Sequence, residues 1–292
     1  MGNIFRSEFV ERLSHYKDKH VIKVITGVRR SGKSTLMKMF RNYLLENGIS
    51  PSQIIFLNFE DYDNFEFLNP KKLHDFVKSK IQAGVRNYIF FDEIQNVEEW
   101  EYVISMLIAR KDCDIYITGS NSGMLSSELS TRLSGRYMEI EILPLSFKEY
   151  MELHGGNEEE RFEQFLRYGP LPSIEPDRGD AVCRAQSEGV FNTVMMKDVI
   201  SRISGRSDTL FSISRFLYSN IRNITNVERI SVALGMSNDT VHRYLESIME
   251  AHLFYHAYRY DVVGKKVFKT KGKYYATDLG MRNILVNASE LR

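Results

Sequence analysis

The nonapeptide GVRRSGKST, Gly27 to Thr35, lies between an apolar run, Val21 to Ile25, and a helical run that begins near Lys33. It fits the pattern G-x-x-x-x-G-K-[ST], whose chemistry requires a strand entering the loop and a helix leaving it. Both conditions are met. Gly27 and Gly32 allow a tight backbone turn around a polyphosphate, with successive N–H groups and the positive end of the following helix aimed at the anion. Lys33 would reach the terminal phosphates, and the Ser34 hydroxyl would ligate Mg²⁺, an ion that takes few protein ligands. Thr35 is a lesser contact. Arg29, Arg30 and Ser31 complete the loop as candidate nucleotide contacts, the two arginines reading equally well as solvated charge.

A second signature follows at Tyr88-Ile89-Phe90-Phe91-Asp92-Glu93. Four apolar or aromatic residues running into two acids describe a central strand that ends at the ligand-binding edge of a parallel sheet. Asp92 would hold Mg²⁺ directly or through a water, and Glu93 would orient and polarise an attacking water. Taken alone, the acids also read as a strand end capping the next helix. Asp114 to Thr118 forms a further strand, followed by GSNSGML, where Ser120 and Asn121 are candidates to sense the γ-phosphate or to cap a helix over Leu125 to Leu133. Arg132 and Arg136 precede the last strand, Tyr137 to Ile142. Either is a candidate cation for the γ-phosphate of the same or a neighbouring subunit, or a surface arginine. With Ile54 to Phe59, these segments give five strands alternating with helices, an α/β doubly wound parallel sheet over residues 1–154. An amphipathic helix, Phe5 to Tyr16, precedes it.

Residues 155–209 read as a helical, proline-rich linker. YGPLPSIEPDRGD, Tyr168 to Asp180, concentrates three prolines, and a helix is expected from Ala185 to Ile203 with Val190, Val194, Val199 and Ile203 buried. Residues 210–292 have a separate logic. After a helix from Leu210 to Ile221, Val227 to Leu234, the turn Gly235-Met236-Ser237 and a helix through Val241, Leu245, Ile248 and Met249 match a helix-turn-helix. A hairpin, Phe254 to Tyr260 and Val267 to Tyr275, would make it winged. From Arg259 to Lys273 there are six basic residues against one acid, Asp261. Asn238, Thr240, His242 and Arg243 would be the exposed positions of a recognition helix for double-stranded DNA. Winged helices also dock proteins, and that reading stays open.

Charge agrees with the division. Up to Cys183 there are 23 basic and 28 acidic residues, and beyond it 16 and 10, which points to an anionic partner for the C-terminal part. Cys113 and Cys183 are too few and too far apart for a zinc site or disulfide framework and are expected to be plain thiols. No run approaches a membrane span and no signal-peptide core precedes the first helix, so a cytoplasmic location is expected. A homo-oligomer is left open.

GVRRSGKST, LNFED, YIFFDEIQNV with Trp100 after it, IYITGSNSGMLSSELSTRLSGRYMEIEILPLSFKEY and YGPLP together resemble the prokaryotic AAA-type ATPases whose C-terminal part is called DUF4143. The resemblance implies an AAA+-like P-loop ATPase core using ATP and Mg²⁺, with Lys33, Ser34, Asp92 and Glu93 on its nucleotide motifs and Ser120 or Asn121 at its sensor position. It also implies a winged-helix region. Family members usually continue into a part similar to restriction-type nucleases. This sequence stops after ATDLGMRNILVNASELR, short of that part, which puts a nuclease role in doubt for it. The expected activity is Mg²⁺-dependent ATP hydrolysis coupled to DNA engagement, against two alternatives: an ATP-driven switch whose winged helix binds protein, and a binder that holds ATP without hydrolysing it.

Overall fold

The computed structural model describes residues 4–119, 135–261, 264 and 266–286. Among them, residues 4–27 and 32–142 form one compact unit, and residues 28–31 and 143–286 form another. The expected helix over Leu125 to Leu133 lies outside the described residues.

In the first unit, α1 (Ser7–His15), β1 (Ile22–Thr26), α2 (Lys33–Glu46), β2 (Ile54–Asn58), α3 (Pro70–Lys80), β3 (Asn87–Asp92), α4 (Trp100–Ile108), β4 (Cys113–Thr118) and β5 (Tyr137–Glu141) follow one another. The strands make one parallel sheet in the order β2-β3-β4-β1-β5. Strand β3 shows how the sheet is wound on both faces. Ile89 and Phe91 enter the core that contains Leu73 and Val77 of α3 and Val103 and Ile104 of α4. Tyr88 and Phe90, on the opposite face, pack with Leu13 of α1 and Leu36 and Phe40 of α2. A strand covered on both sides has no solvent face, which is why β1, β3 and β4 read as continuous apolar runs.

Lys23 interrupts that rule. It is fully buried in β1 and pairs with the equally buried Asp114 of β4, which also accepts the Tyr116 hydroxyl and the Asp18 backbone N–H. Burial pushes the Lys23 ammonium below its ordinary value, and the Asp114 charge opposes that. Such a pair persists because its remaining hydrogen-bonding capacity is met.

The second unit begins with α5 (Phe147–His154), which carries a capping box between Ser146 and Glu149. Then α6 (Glu158–Tyr168) is capped by Asn157, and α7 (Asp180–Thr193) runs directly into a π-helical stretch, Val194–Ile200. That continuous helix starts five residues before the expected Ala185. Val190, Val194 and Val199 are buried as expected, while Ile203 is only half-buried. Next come α8 (Ser207–Ser219), β6 (Ile224–Thr225), α9 (Val227–Leu234), α10 (Asn238–Glu250), β7 (Phe254–Asp261), β8 (Lys266–Ala276) and α11 (Leu279–Leu285). Between α9 and α10, Gly235 adopts φ 62° and Ser237 accepts the Thr240 N–H, so the turn ends one helix and caps the next. The three short strands pair antiparallel in the order β6-β8-β7.

Asp278 caps α11 by accepting the N–H groups of Gly280 and Met281. It is wholly buried, and burial pushes its carboxyl up to about 7, against the smaller opposing effect of those two donors. A carboxyl whose folded pKa is raised binds its proton more tightly when folded, so stability is highest below the unfolded value and is lost as pH rises toward 7. The loss is bounded at about 4 kcal/mol. Asp278→Asn keeps the acceptor and discards the charge. Its thermal midpoint should therefore exceed that of the wild type at pH 8 and converge with it toward pH 4, as read by calorimetry across that range.

Candidate nucleotide site

The candidate site is built at the C-terminal tips of β1, β3 and β4. Asn58 and Asp92 stand side by side in the register of β2 and β3, and the last residue of β4 is Thr118. The loop after β1 turns through Gly27 at φ 136° and Gly32 at φ 103°, conformations for which a Cβ is a liability. Gly32 places Lys33 as the first residue of α2, and the Lys33 ammonium donates to the Gly27 carbonyl at 3.0 Å. Lys33 therefore already lies along the inside of the loop, and it is buried.

The ends of β3 and β4 and the first turn of α2 meet at one carboxylate, that of Asp92. Oδ1 of Asp92 accepts from Ser34 Oγ at 3.0 Å and from Thr118 Oγ1 at 2.6 Å. Its Oδ2 is buried with no hydrogen-bond partner among the described residues. A hydroxyl and a carboxylate that share one oxygen contact, with a second oxygen unsatisfied, are hard donors suited to Mg²⁺. Among the described residues no group of three or more His, Cys, Asp or Glu converges as a metal site, here or elsewhere, so Ser34 and Asp92 are the candidate protein ligands.

Glu93 follows in a left-handed conformation, φ 54° and ψ 49°, which costs a non-glycine residue about 1–2 kcal/mol. Its backbone N–H donates to Thr118 Oγ1 at 2.9 Å, so one hydroxyl holds Asp92 through its proton and Glu93 through its lone pair. The Glu93 side chain is 7 % exposed. Burial pushes its carboxyl above the ordinary value, opposed by the Lys33 charge and by a hydrogen bond from Gln95, and supported by Glu60 and Asp92. A buried carboxyl with raised proton affinity at a strand tip beside the glycine loop is a candidate general base.

The remaining loop residues are placed differently. Residues 28–31 group with the C-terminal unit: Val28 is part of its apolar core, and Arg29 makes a two-pronged pair with Asp198, at 3.1 and 3.0 Å. The Arg29 guanidinium is thus engaged with a protein carboxylate. Arg30 takes φ 66°, and Ser31 is buried. Thr35 continues the first turn of α2, where it is exposed. The Arg136 carbonyl accepts the Ile22 N–H at the N-terminal end of β1, the end of the sheet opposite the strand tips that carry Asp92 and Thr118. Ser120, Asn121 and Arg132 lie outside the described residues.

Sequence reasoning passed over Thr118 and Gln95. Thr118 closes an apolar strand and reads as part of its β-propensity; only the strand register brings its hydroxyl between two acids. Both cysteines are buried free thiols, and burial pushes the Cys113 thiol up to about 11. No helix among the described residues is long and apolar enough to cross a membrane.

The parallel sheet, the glycine loop at the start of α2 and the acid pair at the tip of β3 define a P-loop NTPase fold of the AAA type. Residues 19–151 match an AAA domain family (AAA_14), and residues 153–292 match a domain of unknown function, DUF8612. The chain belongs to the same family as an uncharacterized protein of Haemophilus influenzae that is 38% identical over 96% of this chain and 72% of its own length. The C-terminal half is therefore DUF8612, which corrects the DUF4143 assignment implied by resemblance. An uncharacterized protein of Methanocaldococcus jannaschii is 28% identical over 92% of this chain and 63% of its own length. A Walker-type ATPase of Pyrococcus abyssi shares the fold with a TM-score of 0.66, at 16% identity, covering 97% of this chain and 96% of that one.

Proposed function

We propose that this chain is a Mg²⁺-dependent ATPase whose nucleotide state is coupled to engagement of double-stranded DNA by a winged-helix part, α9 to β8. The observation that carries the first half is the convergence of Ser34, Asp92, Thr118 and Glu93 beside the buried Lys33. Mg²⁺, held by Ser34 and Asp92, would supply neutralisation of charge on the β- and γ-phosphoryl oxygens. The loop N–H groups and the Lys33 ammonium bind and orient the phosphates, and Glu93 positions the attacking water and takes its proton. The reaction calls for placement and fixed charge, with no covalent intermediate.

The second half is supported by the turn between α9 and α10 and by the residues α10 shows to solvent, Asn238, His242 and Arg243 among them. Tyr258, Arg259 and Tyr260 are exposed on β7, giving an aromatic and basic run on the strand that pairs with β8. Phosphate contacts of this kind weaken steeply with salt. The ATPase rate should rise with duplex DNA at low ionic strength and lose that stimulation at high ionic strength.

One observation favours a second reading, in which the same part docks a protein. Asp239 and Glu246 share the exposed side of α10, with His242 paired to Glu246 at 3.3 Å, and Val232 of α9 is 80 % exposed. Hydrolysis indifferent to DNA at every salt concentration in a folded sample would move the assignment there.

A further inference from the structure

The residues after Glu93 form a short 3₁₀ turn, Ile94–Asn96, closed by bonds from the Asn96 N–H to the Glu93 carbonyl and from the Val97 N–H to the Ile94 carbonyl. Ile94 and Val97, the residue after the turn, anchor it, both buried in the core shared by α3 and α4. Asn96 reaches back to the Phe59 carbonyl at 3.4 Å. The turn is thus tied to the sheet on both sides, and Gln95 between the anchors has its side chain returned over residue 93. Its amide Nε2 donates to Oε2 of Glu93. Its own Oε1 is buried and has no hydrogen-bond partner among the described residues.

We infer that Gln95 is the positioning residue for Glu93, its amide pinning one carboxylate oxygen so that the other is presented to the attacking water. This rests on the ATPase reading given above. A glutamate has three side-chain torsions, and its last one is broad, so a carboxylate at the end of that chain is free to rotate unless something fixes it. The left-handed backbone of Glu93 is fixed by Thr118, and the head group is fixed by Gln95. Both ends of the side chain are therefore constrained. An amide is suited to this role because it donates with one atom while the other stays an acceptor, here a buried one adjacent to Glu93, available to a water or hydroxyl proton. Positioning matters because misplacement of about 1 Å costs about 100-fold in rate.

The plain alternative is that Gln95 only caps the turn. A double-mutant cycle on the full chain separates the two, using Gln95→Met, which keeps length and volume but cannot donate, with Glu93→Gln and the double variant. Release of labelled phosphate gives kcat, and a fluorescent nucleotide analogue gives Kd. Gln95→Met is expected to lower kcat at least tenfold with Kd within twofold of the wild type, and to change the residual rate of Glu93→Gln by less than twofold. Wild-type kcat in Gln95→Met, or an equal further loss on top of Glu93→Gln, overturns the inference. Should Gln95→Met not fold, Gln95→Glu carries the same cycle, since it preserves shape and sets an acceptor against an acceptor. Wild-type hydrolysis by Glu93→Gln alone is a different result, which removes the ATPase role of Glu93 and this inference with it.

Discussion

Glu93→Gln is expected to bind ATP as tightly as the wild type and to turn it over about 100-fold to 10,000-fold more slowly, the span associated with loss of a general base. Binding is spared because the groups that would hold the phosphates are elsewhere: the loop N–H groups, and the Lys33 ammonium that lies along the Gly27 carbonyl. The fold is spared for a second reason. Burial already pushes the Glu93 carboxyl above its ordinary value, so ionising it in place is unfavourable and a neutral amide of the same shape relieves that cost. The substituted side chain can still accept from Gln95, and its backbone N–H still meets Thr118. What disappears is the ability to take a proton. Equilibrium nucleotide binding and single-turnover phosphate release on the same preparation check both halves. Hydrolysis at the wild-type rate would show that Glu93 neither orients nor deprotonates the water, and the search for the base would pass to residues outside this cluster.

How much of this was legible in the sequence depends on how local each signal is. The phosphate loop and the acid pair after β3 are contiguous motifs, and the three central strands β1, β3 and β4, buried on both faces, announce themselves as largely apolar runs. Three features were not legible. Lys23 sits inside a run read as apolar, and the partner that permits its burial, Asp114, is 91 residues away. Thr118 meets Asp92 only through the register that sets β4 beside β3. The acidic stretch after Gly155 reads as a break in structure, yet Glu158, Glu159 and Glu160 occupy the first turn of α6 beneath an Asn157 cap. Acids there favour a helix, because they face the positive end of its dipole. Polarity alone could not distinguish a linker from a well-capped helix start.

Gly280→Ala is expected to destabilise the second unit by more than about 3 kcal/mol, the range reserved for a substitution with a named steric cause. Gly280 is the second residue of α11, where alanine is the better helix former by about 1 kcal/mol, so propensity predicts a gain. Close packing reverses the sign. A Cβ at this position would lie 2.0 Å from the Tyr168 carbonyl oxygen and 2.4 Å from its carbon, both backbone atoms at the C-terminus of α6. Neither helix can yield easily. Asn283 of α11 donates to the Leu166 and Arg167 carbonyls at 3.0 and 2.9 Å, which fixes the approach of α11 to the end of α6. Gly169, which ends α6 at φ 90°, is equally constrained, since its own added Cβ would stand 2.1 Å from Oδ1 of Asp278. Opening the joint to admit a methyl group would therefore pull Asp278 from the N–H groups it caps and leave buried polar atoms unpaired. Gly189 is the matched control. It lies within α7, a Cβ there meets nothing within 4 Å, and Gly189→Ala should raise stability by about 0.5–1 kcal/mol. Thermal or urea unfolding of the two variants should move in opposite directions. Matching shifts would mean that helix propensity, rather than the contact between α11 and the end of α6, governs both positions.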